Sequence, residues 1–347
     1  MEKRKLGRTD LMVSACCLGT MTYGEQNTEA EGHEQMDYAV ERGVNFFDTA
    51  ELYAIPPKPE TQGSTERIVG SWMKARGNRD KVILATKIVG RSENTWYRDD
   101  VDMCRINKAQ IDEAVEKSLK RLQTDYIDLY QLHWPDRVAP IFGGKLKAKH
   151  YNISYEPFED ILEALDAHVK KGNIRHIGLS NETPFGVMRF IAESEKRGLP
   201  RVQSIQNAYN LVNRTFEEGL EEVCMHEDVG LLSYSPLGQG YLTGKYRNGA
   251  LPEGSRKALF QRLSRYEKPH AEDAINSYVD LAAEKGIDPG QLAIRFCDTR
   301  LFMASTIIGA TTMEQLKTCI DAFDLEWTDD LENSVNELHA RQPNPCP

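Results

Sequence analysis

Short apolar runs alternate along the chain with longer stretches in which apolar positions recur every three or four residues. Runs at 13–18, 44–47, 82–85, 127–132, 174–179, 204–206, 230–234 and 305–308 have the content of buried strands. Between them the helical period covers 28–42, 64–76, 107–123, 158–171, 185–197, 216–226, 271–285, 289–300 and 312–322, with a further stretch at 329–341. The stretch 107–123 is the clearest. Asn107 is placed to cap it, and Ile111, Val115, Leu119 and Leu122 fall on one face. Gly43, Gly77, Gly172 and Gly286 stand where helices stop. Residues 3–14, punctuated by Gly7 and Asp10, suit a small hairpin, while 94–107, 134–156 and 246–270 read as long loops.

Strand followed by helix, repeated eight times, argues for parallel strands with helical crossovers. The expected fold is α/β, a closed (β/α)8 TIM barrel with a short N-terminal hairpin and an extra C-terminal helix. No linker divides the pattern, so residues 1–347 are expected to form one barrel domain. A Rossmann reading fails, because Gly238-x-Gly240 is followed by a glycine at 244, one position too late for the fingerprint.

Composition narrows the function. The chain has 347 residues and a formal net charge of −10, which argues against nucleic acid or an anionic membrane as partner. Its 7 cysteines have no paired spacing and suit reduced thiols in the cytoplasm. The N-terminus runs into no apolar leader segment, and no run reaches the roughly 18 apolar residues of a membrane span. Metal-ligand motifs are absent, as is the G-x-S-x-G of a serine hydrolase. A monomer or weak homo-oligomer is expected.

Polar residues follow the apolar strands in register. Asp48, Lys87, His133, Ser180, Asn181, Gln206 and Tyr234 each stand at such a place, and in a barrel those ends share one mouth. Each alone has a plain structural role open to it: Asp48 as a helix cap, Lys87 as a surface charge, His133 as a satisfied buried histidine. Together with Tyr53, one turn beyond Asp48, they suit general acid catalysis. A phenol is a poor proton donor at neutral pH, and a nearby ammonium lowers its pKa. Asp48 would orient Lys87, and His133 would hold a carbonyl oxygen. Such a set supplies a proton but no hydride, which a nicotinamide must bring. Ser180, Asn181 and Gln206 offer donors and acceptors for an amide, and Tyr234 offers a stacking face. The backbone of 235–240, with Lys245 and Arg256 nearby, suits a pyrophosphate. The segment 308–312, which ends a strand and opens a helix, suits an anion.

These residues resemble the aldo-keto reductase family, over nearly the whole chain. The stretch 43–53, G-V-N-F-F-D-T-A-E-L-Y, carries the family's G-x-N-x-x-D-T-A-x-x-Y pattern. Residues 59–63 (PETQG), 119–126 (LKRLQTDY) and 181–189 (NETPFGVMR) resemble a Tas-like bacterial branch. The resemblance implies NADPH-dependent reduction of aldehydes or ketones to alcohols, with Asp48, Tyr53, Lys87 and His133 catalytic and Tyr53 the acid. It implies cofactor contacts from Thr20, Met21, Gln26, Asp48, Ser180, Asn181, Gln206 and Tyr234. For the pyrophosphate loop it implies Ser235, Pro236, Leu237, Gln239, Gly240 and Lys245, and for the adenosine end Arg256, Gly309, Thr311, Thr312 and Gln315. Thr318 and Cys319 stand where many relatives have Glu-Asn, and Met21 where many have tryptophan. The resemblance extends to potassium-channel β subunits, which leaves open a regulatory, redox-sensing protein with vestigial turnover. Substrate choice is expected to lie in the long loops, with Trp96, Tyr97, Trp134, Tyr209 and Phe260 as candidate pocket aromatics.

Overall fold

In this computed structural model residues 1–142, 144–260 and 263–347 are described. The expected loops at 134–156 and 246–270 therefore each include positions outside the described residues. The expected hairpin forms: β1 (Lys3–Lys5) pairs antiparallel with β2 (Met12–Ser14), Arg4 opposite Val13. Eight strands follow: β3 (Cys16–Gly19), β4 (Phe46–Asp48), β5 (Ile83–Ile88), β6 (Ile127–Leu132), β7 (Ile174–Ser180), β8 (Val202–Ala208), β9 (Gly230–Tyr234) and β10 (Met303–Ile308). They pair in parallel, each with its sequence neighbour, and β10 closes the ring against β3. This is the (β/α)8 barrel that the pattern predicts.

The helices are α1 (Glu29–Glu41), α2 (Ser64–Arg76), α3 (Lys108–Leu122), α4 (Phe158–Lys170), α5 (Pro184–Arg197) and α6 (Leu220–Glu227), then α7 (Arg256–Phe260), α8 (Ala271–Glu284), α9 (Pro289–Asp298), α10 (Met313–Asp321) and α11 (Asp329–Arg341). Asn107 caps α3 by accepting from the Gln110 N–H at 3.0 Å. Several expected boundaries shift, among them the strand expected at 82–85, which runs as β5 to Ile88. The run 13–18 is split between hairpin and barrel. The strand expected at 204–206 extends to the seven residues of β8. The helix expected at 216–226 is a 3₁₀ turn followed, past Gly219, by the shorter α6. The irregular 246–270 contains α7.

Side-chain alternation along the strands sorts the barrel into layers. Phe47, Leu84, Tyr130 and Ile205 face outward into the large core shared with the helices. Cys17, Phe46, Ala85, Leu129 and Leu232 face inward and meet Leu6, Leu11 and Val13 of the hairpin, which plugs the barrel's N-terminal end. Two residues further along, the inward positions turn polar: Asp48, Lys87, Gln131 and Gln206, all buried. Register places them side by side, with Lys87 opposite Gln131, and Gln131 opposite Gly178. A Cβ at Gly178 would come within 2.4 Å of the Ser204 hydroxyl, so the smallest residue is what lets this layer close.

Candidate active site

At the centre of the polar layer, the Lys87 ammonium donates to the Asp48 carboxylate at 2.5 Å and to the Thr49 carbonyl at 2.7 Å. Lys87 lies inside β5, not beyond it, and its side chain is fully buried. Burial disfavours its charge, yet the Asp48 carboxylate and then Tyr53 together outweigh it and hold its pKa above the ordinary lysine value. The other Asp48 oxygen accepts from the carboxamides of Gln206 at 2.9 Å and Gln131 at 3.1 Å. Gln206 also donates to Gln131 at 3.1 Å, so the two amides fix each other. Asp48 is therefore no helix cap.

Tyr53 hangs over this layer. The Lys87 nitrogen is 4.9 Å from its ring centroid, and the His133 ring meets it edge-on at 5.6 Å. Burial raises the phenol's pKa above its ordinary value. The Lys87 ammonium pulls the other way without prevailing. The net direction is thus opposite to the one expected from the lysine alone, and Tyr53 stays protonated at neutral pH. His133 follows β6 directly. Burial, then the Lys87 charge, push its pKa well below the usual histidine range, so the imidazole is neutral. Its Nδ1 is buried with no hydrogen-bond partner among the described residues.

The remaining expected residues stand in β7 to β9 or in the segments that follow β3, β7, β9 and β10. Asn181 donates to the His133 carbonyl at 2.8 Å and accepts from the Tyr234 hydroxyl at 2.7 Å. Ser180 donates to the Gln206 carbonyl at 2.8 Å. Part of the free polarity expected of these residues is thus already committed within the protein. Thr20 ties back to the Asp48 carbonyl at 3.0 Å, Met21 accepts from the Ile55 N–H at 3.2 Å, and Gln26 closes a turn on Thr22 at 3.0 Å. Beyond Tyr234 the chain turns sharply through Ser235, Pro236 and Leu237 into a 3₁₀ segment, Gly238–Thr243. Gly240, at φ +97°, leaves space that a Cβ would take from Lys245, 2.7 Å from its Cε. Arg256 opens α7, which reaches the same loop where the Lys257 N–H donates to the Tyr246 hydroxyl at 3.3 Å. Gly309 follows β10, and Thr312 caps α10. The Gln315 carboxamide is turned back onto the Thr311 N–H at 3.0 Å. Cys319 packs in the core, and the Thr318 hydroxyl bonds back along its helix to Glu314 at 3.0 Å.

Sequence reasoning passed over three parts of the site. Gln131 is a glutamine inside an apolar strand, a signal that was available. Glu51, inside the 43–53 stretch, forms a buried two-pronged ion pair with Arg98 at 2.6 and 2.7 Å and accepts from the Val89 N–H at 2.7 Å. Asp136, buried, holds Arg105 by two bonds of 2.8 Å and the Glu156 N–H at 2.8 Å. These two carboxylates tie the long loops to the barrel mouth, with Tyr97, Trp134 and Tyr53 in one apolar cluster. Trp96 lies on Tyr97 at 5.3 Å and Phe260 ends α7 half-buried. Tyr209 does not reach the mouth: it stacks on Phe296 at 5.6 Å in the core and donates to Glu217 at 2.6 Å.

No helix among the described residues is long and apolar enough to cross a membrane. The model of the Aldo/keto reductase family matches residues 15–340. The chain is 47% identical to Protein tas of Escherichia coli (strain K12) across 100% of both chains. It is 38% identical to an aldo-keto reductase of Babesia bovis over 76% of this chain and 98% of that one. It is 28% identical to a probable voltage-gated potassium channel subunit beta of Arabidopsis thaliana, over 94% of this chain and 92% of that one. With a barrel whose mouth gathers Asp48, Lys87, Tyr53 and His133, and a family match that runs through nearly all of its length, the chain belongs to the aldo/keto reductase family of oxidoreductases.

Proposed function

We propose that this protein reduces small aldehyde or ketone substrates to alcohols with NADPH, with Tyr53 as the general acid. One barrel domain does this, in the cytoplasm, with no nucleic-acid or membrane partner. The observation that carries the reading is the contact of one buried ammonium, Lys87, with both the Asp48 carboxylate at 2.5 Å and the Tyr53 ring at 4.9 Å. Tyr53 is protonated at neutral pH, as a donor must be. As it gives its proton to the carbonyl oxygen, negative charge appears beside Lys87, which favours it. The neutral His133 has a ring nitrogen with no partner among the described residues, which supports a role for its ring in orienting that oxygen. Asp48, Gln131 and Gln206 keep Lys87 in place.

The residues present fit a nicotinamide dinucleotide phosphate. NADPH, when bound, would supply the hydride to the carbonyl carbon. Ser180, Asn181, Gln206 and Tyr234 would hold its nicotinamide, and Thr20, Met21 and Gln26 the neighbouring ribose. Gln239 has a buried side-chain oxygen with no partner among the described residues, next to the Gly240 cradle and Lys245. That oxygen is an acceptor, left for a hydroxyl of the dinucleotide, while the Lys245 ammonium beside the Gly240 cradle is the donor from which its pyrophosphate would accept. Arg256, Gly309, Thr311, Thr312 and Gln315 would take the adenosine 2′-phosphate end.

Titrating NADPH against intrinsic fluorescence and then screening a carbonyl panel tests the reading. Saturable quenching with turnover supports it, and no quenching removes it. Tight NADPH binding without turnover across the panel would favour the second reading, a redox-sensing regulatory protein, for which the similarity to a channel β subunit speaks.

A further inference from the structure

The cover of the barrel mouth holds an arginine without an acid. Arg265 is half-buried, and its guanidinium reaches the hydroxyls of Tyr234 and Tyr266 and lies 5.9 Å from the centroid of the Phe142 ring. Other arginines set into this protein face carboxylates: Arg98 has Glu51, Arg105 has Asp136, Arg121 has Glu66 and Arg137 has Glu182. Arg265 forms no ion pair with any described carboxylate; it faces the hydroxyls of Tyr234 and Tyr266, which burial keeps protonated and uncharged at neutral pH. A guanidinium keeps its charge at any accessible pH, so partial burial without a counter-ion costs free energy that an arriving anion would recover.

Its position gives that anion a purpose. The Tyr234 hydroxyl touched by Arg265 donates to Asn181, which in turn holds the His133 carbonyl. An aromatic row also runs from the imidazole: His133 to Trp134 at 5.0 Å, Trp134 to Phe142 at 6.2 Å, and Phe142 to Arg265. A molecule with its carbonyl at Tyr53 and His133 would lay an apolar body along Trp134 and Phe142 and bring its far end to the guanidinium.

We propose that Arg265 is a specificity-determining residue that selects carbonyl substrates bearing a carboxylate, which the guanidinium fork would bind in two-pronged fashion. This rests on the carbonyl-reducing reading of the site. It adds a substrate class, an aldehyde or ketone acid with a ring or short apolar chain between its two groups. The anion of the cofactor itself is the other source of the same chemistry, and the test separates the two.

The full-length protein with NADPH is assayed on 4-carboxybenzaldehyde and on its neutral methyl ester, for the native chain, Arg265→Met and Arg265→Lys. A bond to a charged partner implies a fall of about tenfold to a hundredfold in the acid-to-ester ratio of kcat/KM for Arg265→Met, carried by KM for the acid. Arg265→Lys, which keeps the charge and loses the fork, falls between. An unchanged ratio overturns the proposal. So does a loss in NADPH affinity as large as the loss for the acid, which would assign Arg265 to the cofactor. Should the native chain reduce neither compound nor any member of the carbonyl panel, the carbonyl-reducing reading fails on its own. Calorimetric binding of benzoate to the NADPH-loaded protein then decides the anion site. Binding that weakens at least tenfold in Arg265→Met supports it, and benzoate that fails to bind the native chain, or binds both forms equally, refutes it.

Discussion

Replacing Arg98 by methionine is predicted to destabilise the protein far beyond the loss of a surface charge. The Arg98 and Glu51 side chains are 0% and 1% exposed, and they meet through two bonds of 2.6 and 2.7 Å. In Arg98→Met the Glu51 carboxylate stays buried and keeps, among the described residues, one hydrogen bond, from the Val89 N–H at 2.7 Å, with the Arg121 charge further off. Breaking one side of a buried pair in this way costs about 3–5 kcal/mol, whereas an exposed pair is worth about 1 kcal/mol or less. Removing both charges is a different perturbation. In Glu51→Leu/Arg98→Met no charge is stranded, and the remaining defects are the Val89 N–H and the Tyr97 carbonyl that Arg98 had bonded at 2.9 Å, each worth about 1–3 kcal/mol, the second shared with the single variant. The double variant should therefore be more stable than Arg98→Met alone. Urea unfolding followed by tryptophan fluorescence measures this, and hydrogen exchange over residues 91–106 should rise in the single variant, because Arg98 anchors that loop. A cost below about 1 kcal/mol for Arg98→Met, or a double variant worse than the single by the full sum, would refute the reasoning.

Other outcomes follow from the same geometry. Because burial holds Tyr53 above its ordinary pKa, carbonyl reduction should be flat from about pH 6 to 9 and decline only as pH rises past about 10; a decline centred near 7 contradicts a buried phenol donor. Because His133 is neutral throughout, no limb should appear between about pH 5 and 7, and a histidine-like limb there contradicts its burial. Gln131→Leu removes the bonds to Asp48 and Gln206 and should lower unfolding free energy by about 1–3 kcal/mol in urea titration while slowing turnover through a less well-held Lys87. Gly178→Ala forces a methyl to within 2.4 Å of the Ser204 hydroxyl and should cost about 1–3 kcal/mol by the same titration.

The barrel was legible because its outward strand residues are apolar and its helices carry an apolar stripe, so both periods survive in the chain. Boundaries were harder where the interior is polar. Lys87 ends the apolar run at 82–85 early, although β5 continues through it to Ile88, because inside a barrel a charge can occupy a strand if another charge meets it. The polar layer was legible as a set, since Asp48, Ser180 and Tyr234 end their strands and His133 follows its own. Its pairings were less so. Gln131 sits among apolar neighbours and speaks only once register sets it beside Lys87. Glu51 and Arg98 lie 47 residues apart, and nothing local joins them. The rise in the Tyr53 pKa was also out of reach, because the lysine is visible in the chain and the degree of burial is not.

The proposed reduction depends on the phenol of Tyr53. NADPH-dependent reduction by Tyr53→Phe, measured beside NADPH affinity by fluorescence quenching, tests it most directly. The expected result is native-like NADPH binding with turnover down by about a hundredfold or more, the scale of a lost general acid. Turnover within a few-fold of the native chain would contradict the account.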